Sequence, residues 1–199
     1  TSMRLMMGVL SAQIFSSILS GDESLSQRPM NRVSKPLINM NANIKTSNGK
    51  PPIFISPVDE IKNVDHKIHI ASAQIKSAVM LAGLYGRDSF TITTPKSRDH
   101  TEIMLNEFGC NITLESDSIN VIPSKLTSPK TIDIPGDISS AAFFIVGSII
   151  SKDSQVKIEN VGLNPLRTGF IEILKMMGAS IEISDLKTVN GEVVGNIDA

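Results

Sequence analysis

RDHTEIMLNEFGCNITL, residues 98–114, decides the fold, because a similar stretch, RTGFIEILKMMGASIEI, begins 69 residues later at Arg167. In both copies apolar residues recur with helical spacing, and a glycine follows the leading arginine after eleven residues. That glycine suits a helix end that needs a positive φ, and a strand-like run follows it. An earlier copy, RPMNRVSKPLINMNANIKT, begins at Arg28, is two residues longer and has Asn41 where the others have glycine.

A second element also occurs three times, as a small hydroxyl residue followed by an apolar run. The copies are TSMRLMMGVL from Thr1, SAQIKSAVMLAGL from Ser72 and SSAAFFIVGSII from Ser139. A Ser or Thr at this place can cap a helix, and the apolar run predicts that the helix is buried. Together the two elements predict an α/β chain built from β-α-β-α-β-β units of about 70 residues, longer than the repeats of a thin solenoid.

Composition limits the classes of protein that fit. The chain has 199 residues, of which 41% are hydrophobic and 20% charged, and its net charge is −1. This charge gives no reason to expect nucleic acid or an anionic membrane as partner, and the ten-residue apolar run 141–150 is too short to span a bilayer. The single Cys110 excludes an internal disulfide, fits a reducing compartment and is expected to pack in the core. We therefore expect a cytoplasmic protein.

The chemistry that the motifs offer is anion binding. Helix N-termini present free N–H groups and a partial positive charge, and Ser72-Ala73-Gln74 adds a hydroxyl and a carboxamide to one of them. Arg28 and Arg98 lie at matching positions of successive repeats, so both could converge on a substrate with phosphate and carboxylate groups. Ordinary helix capping and solvated surface arginines explain the same residues, so the motifs alone leave both interpretations open.

Other candidate residues indicate less. His66, His69 and His100 are scattered without metal-ligand spacing, and no glycine-rich nucleotide loop is present, so no metal or cofactor is expected. The alternation His66-Lys67-Ile68-His69 predicts a strand with solvated histidines. We interpret Asp137 as a helix cap and Arg167 as a structural residue at a helix entry.

Six segments together resemble the 5-enolpyruvylshikimate-3-phosphate synthase family, in its class II bacterial form. They are TSMRLMMGVL, GDESLSQRPMNRVSKPL, ASAQIKSAVMLAGL, SRDHTEIMLNEFGC, IPGDISSAAFFIVGSII and LNPLRTGFIEILKMMGA. The resemblance implies an inside-out α/β prism with two domains of three βαβαββ units each and substrates in the cleft between the domains. Residues 1–133 would belong to the first domain and residues 137–199 to the start of the second, with the linker at about 132–137. Because the chain begins inside a helix cap, we interpret it as an internal piece of a longer protein.

The resemblance also implies the site residues. Those for phosphoenolpyruvate are Arg28, Gln74 and Thr1, and those for shikimate 3-phosphate are Ser72, Ala73, Gln74 and Arg98. Arg4 matches an arginine of the family whose role stays open.

The implied activity is that of a 3-phosphoshikimate 1-carboxyvinyltransferase: the enolpyruvyl group of phosphoenolpyruvate moves to the 5-hydroxyl of shikimate 3-phosphate, and phosphate leaves. The family's acid–base groups lie outside this chain, so it is expected to hold no catalytic residue and to be inactive alone; the full-length parent is expected to be a monomer. One alternative is UDP-N-acetylglucosamine enolpyruvyl transferase, but the segment GDESLSQRPM lacks that family's cysteine. The other is a non-catalytic binding module of the same fold, against which the retained Arg28, Ser72, Gln74 and Arg98 argue.

Overall fold

The computed structural model of the protein describes residues 1–199. Its helices are α1 (Ser2–Leu10), α2 (Glu23–Ser26), α3 (Asn31–Asn39), α4 (Ala73–Gly83), α5 (His100–Glu107), α6 (Ile138–Ile150) and α7 (Gly169–Met176). Its strands are β1 (Ser17–Leu19), β2 (Asn43–Ser47), β3 (Lys50–Ser56), β4 (His66–Lys67), β5 (Phe90–Thr93), β6 (Asn111–Glu115), β7 (Ser118–Ile122), β8 (Lys157–Gly162), β9 (Glu182–Val189) and β10 (Glu192–Asp198).

The element order and the strand order confirm the repeat. The elements from β4 to β7 follow the chain as β-α-β-α-β-β. The last strand of each copy lies between the two earlier ones, in the orders β1-β3-β2, β5-β7-β6 and β8-β10-β9, and these pairs are antiparallel. The leading strand β4 pairs parallel with β5, and in the third copy a single parallel bridge between Gly136 and Val161 takes its place. The unit is therefore complete from β4 to β7, and its three-stranded antiparallel part with two helices occurs three times.

The helices that follow the repeated arginines begin at a constant spacing. Their N-cap residues are Met30, Asp99 and Thr168, which are 69 residues apart. Arg98 and Arg167 each lie directly before the N-cap, whereas Arg28 lies two residues before it. The expectation that Arg28 and Arg98 occupy matching positions is therefore wrong by one residue, because the first copy has an additional residue between its arginine and its helix.

The same three helices end in the left-handed conformation that the glycines predict. The residues after their C-caps are Asn41, Gly109 and Gly178, with φ of 73°, 81° and 96°. Asparagine tolerates a positive φ better than other side chains do, which explains why Asn41 can replace the repeat glycine. Its Nδ2 also donates a hydrogen bond of 2.9 Å to the carbonyl of Glu60.

The chain packs as two compact units, and the first comprises residues 1–97 and 109–126. Helix α4 is buried on nearly all sides, as expected from its apolar run, and α1 packs closely against it. At this contact Gly8 of α1 lies so close to α4 that a Cβ there would be 2.2 Å from the carbonyl oxygen of Ala78. Other buried side chains of the unit are Met3, Met7, Val33, Leu37, Ile53, Ile55, Val79, Met80, Phe90, Ile92 and Val121. Cys110 is also buried, as predicted.

The second unit comprises residues 98–108 and 127–199. Its core joins α6, α7 and the third sheet through Ile138, Ala141, Ile145, Val161, Leu163, Ile171, Ile181 and Ile197. The prediction that the run from Ser139 forms a fully buried helix is wrong for α6 in this chain: Phe143 and Phe144 are 81% and 66% exposed. One three-stranded sheet covers only one face of the helix. The division into domains 1–133 and 137–199, with a linker at about 132–137, stays a prediction.

Two smaller expectations have opposite outcomes. Residues 66–69 do alternate, with His66 and Ile68 buried and Lys67 and His69 exposed. The prediction of two solvated histidines is therefore wrong for His66, because an odd sequence separation puts His66 and His69 on opposite faces. Asp137 caps α6, as predicted: its carboxylate accepts a hydrogen bond from the Ser139 N–H. No helix in the structure has the length and apolar character of a membrane span.

Candidate functional site

Three side chains of the first unit are joined at the N-termini of α1 and α4. Gln74 Oε1 accepts a hydrogen bond of 2.5 Å from an Arg4 guanidinium nitrogen, and Gln74 Nε2 donates one of 2.8 Å to Thr1 Oγ1. Thr1 is the N-cap residue of α1, and Gln74 is the second residue of α4. The predicted site residues Thr1 and Gln74 are thus in direct contact.

Arg4 also reaches the segment that contains Arg28. Its second terminal nitrogen donates a hydrogen bond of 3.0 Å to the carbonyl oxygen of Pro29, the residue after Arg28. Arg28 itself is exposed. Arg4 thereby connects three separate segments: the starts of α1 and α4 and the loop before α3.

The start of α4 keeps its polar groups near the surface. Ser72 is the N-cap residue, and its Oγ accepts a long hydrogen bond of 3.4 Å from the Ile75 N–H. A hydroxyl that accepts still has its own proton to donate. Ser72, Ala73 and Gln74 are half-buried, whereas the helix is buried from Ile75 to Met80. The N-terminal end of α4 therefore combines free N–H groups, a hydroxyl and a carboxamide, which suits an anion.

Arg98 lies in the second unit, directly before the N-cap of α5, and it is exposed. The structure brings Thr1 and Gln74 together with Arg4 within the first unit. It stays a prediction that one common cleft contains Arg28, Ser72, Gln74 and Arg98.

Arg167, at the corresponding position before α7, binds the start of α6. Its guanidinium donates hydrogen bonds of 2.6 Å to Asp137 and 2.5 Å to the Ser139 hydroxyl. Burial raises the pKa of Asp137, but the Ser139 N–H and Arg167 outweigh this and hold that pKa below its usual value. These contacts fix the start of α6 and support a structural role for Arg167.

Sequence reasoning left the role of Arg4 open, although one signal was available. A cation in the first turn of a helix lies near the positive end of the helix dipole, so it needs acceptors nearby. Gln74 and Pro29 supply them. No three His, Cys, Asp or Glu side chains of the structure are grouped as a metal site would require.

Solved structures define the class of protein. The chain superposes on the EPSP synthase of Acinetobacter baumannii with a TM-score of 0.87 and 45% identity, over 99% of this chain and 45% of that one. It also superposes on the enolpyruvyl transferase NikO from Streptomyces tendae with a TM-score of 0.68 over 96% of this chain and 45% of that one; at 14% identity this likeness concerns the fold alone. The fold is that of the enolpyruvyl transferases.

The family follows from sequence. Residues 1–196 match the family model of EPSP synthase (3-phosphoshikimate 1-carboxyvinyltransferase), and the chain belongs to this family. It is 47% identical to the 3-phosphoshikimate 1-carboxyvinyltransferase of Hydrogenovibrio crunogenus and 48% identical to that of Petrotoga mobilis, over 99% of its own length. It spans 46% of the length of each of these relatives.

Proposed function

We propose that the full-length protein transfers the enolpyruvyl group of phosphoenolpyruvate to the 5-hydroxyl of shikimate 3-phosphate and releases phosphate. Membership of the EPSP synthase family supports the reaction. The observation that carries the site is the fixed position of Gln74, held between Arg4 and Thr1 at the start of α4. This chain would supply a binding half-site, and the acid–base groups would come from the rest of the protein.

In this proposal each polar group has a defined task. Ser72 and the free N–H groups at the start of α4 bind shikimate 3-phosphate, because a helix N-terminus attracts an anion. An amide nitrogen carries two donors, so Gln74 can keep its bond to Thr1 and still donate to a substrate oxygen. Arg28 binds phosphoenolpyruvate and Arg98 binds shikimate 3-phosphate, each through charge-assisted hydrogen bonds.

The test is steady-state kinetics of the full-length protein with each substrate varied in turn. A hydrogen bond to a charged group contributes about 1.5–3 kcal/mol, so Arg28→Ala should raise the KM for phosphoenolpyruvate by roughly 10- to 100-fold. Arg98→Ala and Ser72→Ala should act mainly on shikimate 3-phosphate. The matched control is Arg87→Ala, which removes an exposed arginine whose ion pair with Glu60 is on the surface and should change neither KM.

Two results would overturn the proposal. The first is a full-length protein that forms no phosphate from the two substrates together, or that uses UDP-N-acetylglucosamine as acceptor instead. The second is a pair of arginine variants with both KM values and kcat unchanged. The 199-residue chain alone should show no turnover.

We further propose that the full-length protein is a cytoplasmic monomer whose first domain includes residues 1–133. The single buried cysteine supports the cytoplasmic compartment, because thiols stay reduced there. Light scattering on the full-length protein measures the oligomeric state directly.

A further inference from the structure

The second unit contains a network of polar side chains around Asn164. Asn164 is 3% exposed and precedes α7, and its Nδ2 donates a hydrogen bond of 2.7 Å to Asp99 Oδ1 and one of 3.3 Å to Glu192 Oε2. Its Oδ1 accepts a hydrogen bond of 2.9 Å from the Leu166 N–H. Both carboxylates are thus tied to one buried amide, which is itself fixed by the backbone.

Glu192 extends the network to α5. Its other carboxylate oxygen contacts Nδ1 of His100, the first residue of that helix. The Glu192 side chain is only 18% exposed, and its strand β10 lies in the middle of the third sheet. The network therefore ties the first residues of α5 to a central strand and to the loop before α7.

The start of α5 lacks the capping hydrogen bond that an N-cap residue usually provides. Asp99 is the N-cap residue of α5, but its side chain makes no capping hydrogen bond to the helix. An N-cap carboxylate usually accepts from an N–H of the first turn, which fixes the start of the helix. Here the carboxylate accepts from Asn164 instead, so the position of the helix start depends on the third repeat.

We propose that Asn164 and Glu192 are positioning residues for Arg98, the residue directly before Asp99. Two anchored residues, Asp99 and His100, follow Arg98 in the chain. The backbone that presents the Arg98 guanidinium is therefore held on one side at two successive residues. A guanidinium binds phosphate well only when its planar fork is aligned. Residues of the third repeat thus set the geometry of shikimate 3-phosphate binding, an inference that rests on the proposed function.

Asn164→Asp in the full-length protein tests this with a minimal change of shape. The new side chain can still accept from Leu166, but it loses the N–H donors and faces two carboxylates. We expect the KM for shikimate 3-phosphate to rise about tenfold, which corresponds to about 1.4 kcal/mol. The KM for phosphoenolpyruvate should change less than about twofold. A merely unstable protein would instead lose kcat, with no difference between the KM values for the two substrates.

Asn196→Asp is the matched control. Asn196 lies on the same strand as Glu192, donates a hydrogen bond of 2.7 Å to Asp185 and accepts one of 3.0 Å from the Asn160 N–H. The same atoms change, and the side chain again faces a carboxylate and a backbone donor, although Asn196 has one carboxylate partner and Asn164 has two. None of the partners of Asn196 is next to Arg98 in the chain. Both KM values should stay unchanged. Glu192→Gln, which is isosteric, provides the measurement if Asn164→Asp does not fold, with the same expected direction.

A double-mutant cycle with Arg98→Ala distinguishes the role of Arg98 in binding from the role of Asn164 in positioning it. If Arg98→Ala alone leaves shikimate 3-phosphate binding unchanged, the proposed function of Arg98 fails. If Arg98→Ala weakens binding and Asn164→Asp weakens it further by its full factor, the two residues act independently and the positioning role is refuted. The proposal expects that Asn164→Asp adds less than about twofold once Arg98 is absent.

Discussion

Gly8→Ala changes one hydrogen into a methyl group at the closest contact between α1 and α4. The added Cβ would lie 2.2 Å from the carbonyl oxygen of Ala78 and 3.0 Å from its carbonyl carbon and Cα. These atoms belong to the backbone of a buried helix, so no side chain can rotate away. Restoring ordinary van der Waals contact requires the two helices to separate by about 1 Å.

The expected loss of stability follows from two opposing effects. Overpacking of this kind costs about 3 kcal/mol, at the upper end of the usual range because the obstacle is backbone. Replacing a helical glycine by alanine returns about 1 kcal/mol. Gly8→Ala should therefore lower the free energy of unfolding by about 2 kcal/mol.

Gly147→Ala is the matched control, because Gly147 lies inside α6 and a Cβ there would have no atom within 4 Å. This variant should keep only the helix-propensity gain of about 1 kcal/mol. Urea unfolding of the 199-residue chain, followed by far-UV circular dichroism, measures both changes. If Gly8→Ala is as stable as Gly147→Ala, the added methyl group causes no steric overlap between α1 and α4.

Two further predictions concern His66 and Asn41. Desolvation lowers the pKa of His66, partly opposed by the Asp65 carboxylate, so the unfolded chain binds a proton more readily and stability should fall as pH drops below about 6.5. In urea titrations at about pH 7.5 and pH 5, His66→Gln should lose less stability than the unaltered chain, and an equal loss would contradict the buried, neutral state. Asn41→Ala should lower the free energy of unfolding by about 1–2 kcal/mol because φ is 73° here, and Asn41→Gly should lower it less because glycine adopts that φ freely. Equal melting temperatures for these two variants would count against strain at this helix end.

Much of the fold was predictable because its periodicity is local and occurs three times. The spacing of arginine and glycine predicted the helices α5 and α7 and their left-handed ends. The strand-like run predicted after Gly109 is β6, Asn111–Glu115. The register of Arg28 was not predictable, because the additional residues of the first copy could lie anywhere between its arginine and Asn41. The structure shows that one of them precedes the helix.

The candidate site was predictable only in part, for a similar reason. Ser72 and Gln74 are two positions apart at the start of one helix, so their closeness follows from the sequence. The contacts of Arg4 with Gln74 and Pro29 join residues 70 and 25 positions apart, and no periodicity specifies such pairs. The burial of His66 was missed because alternation predicts which residues share a face and leaves open which face is covered.

The deep burial of α4 has a consequence for binding entropy. A helix surrounded by packed side chains loses little motion when a ligand arrives at its N-terminal end, because folding has already restricted that motion. Amide hydrogens from Met80 to Gly83 should then be among the last of the first unit to exchange with solvent. In the proposed reaction, substrate groups bound at Ser72 and Gln74 would therefore meet a surface that folding has already ordered.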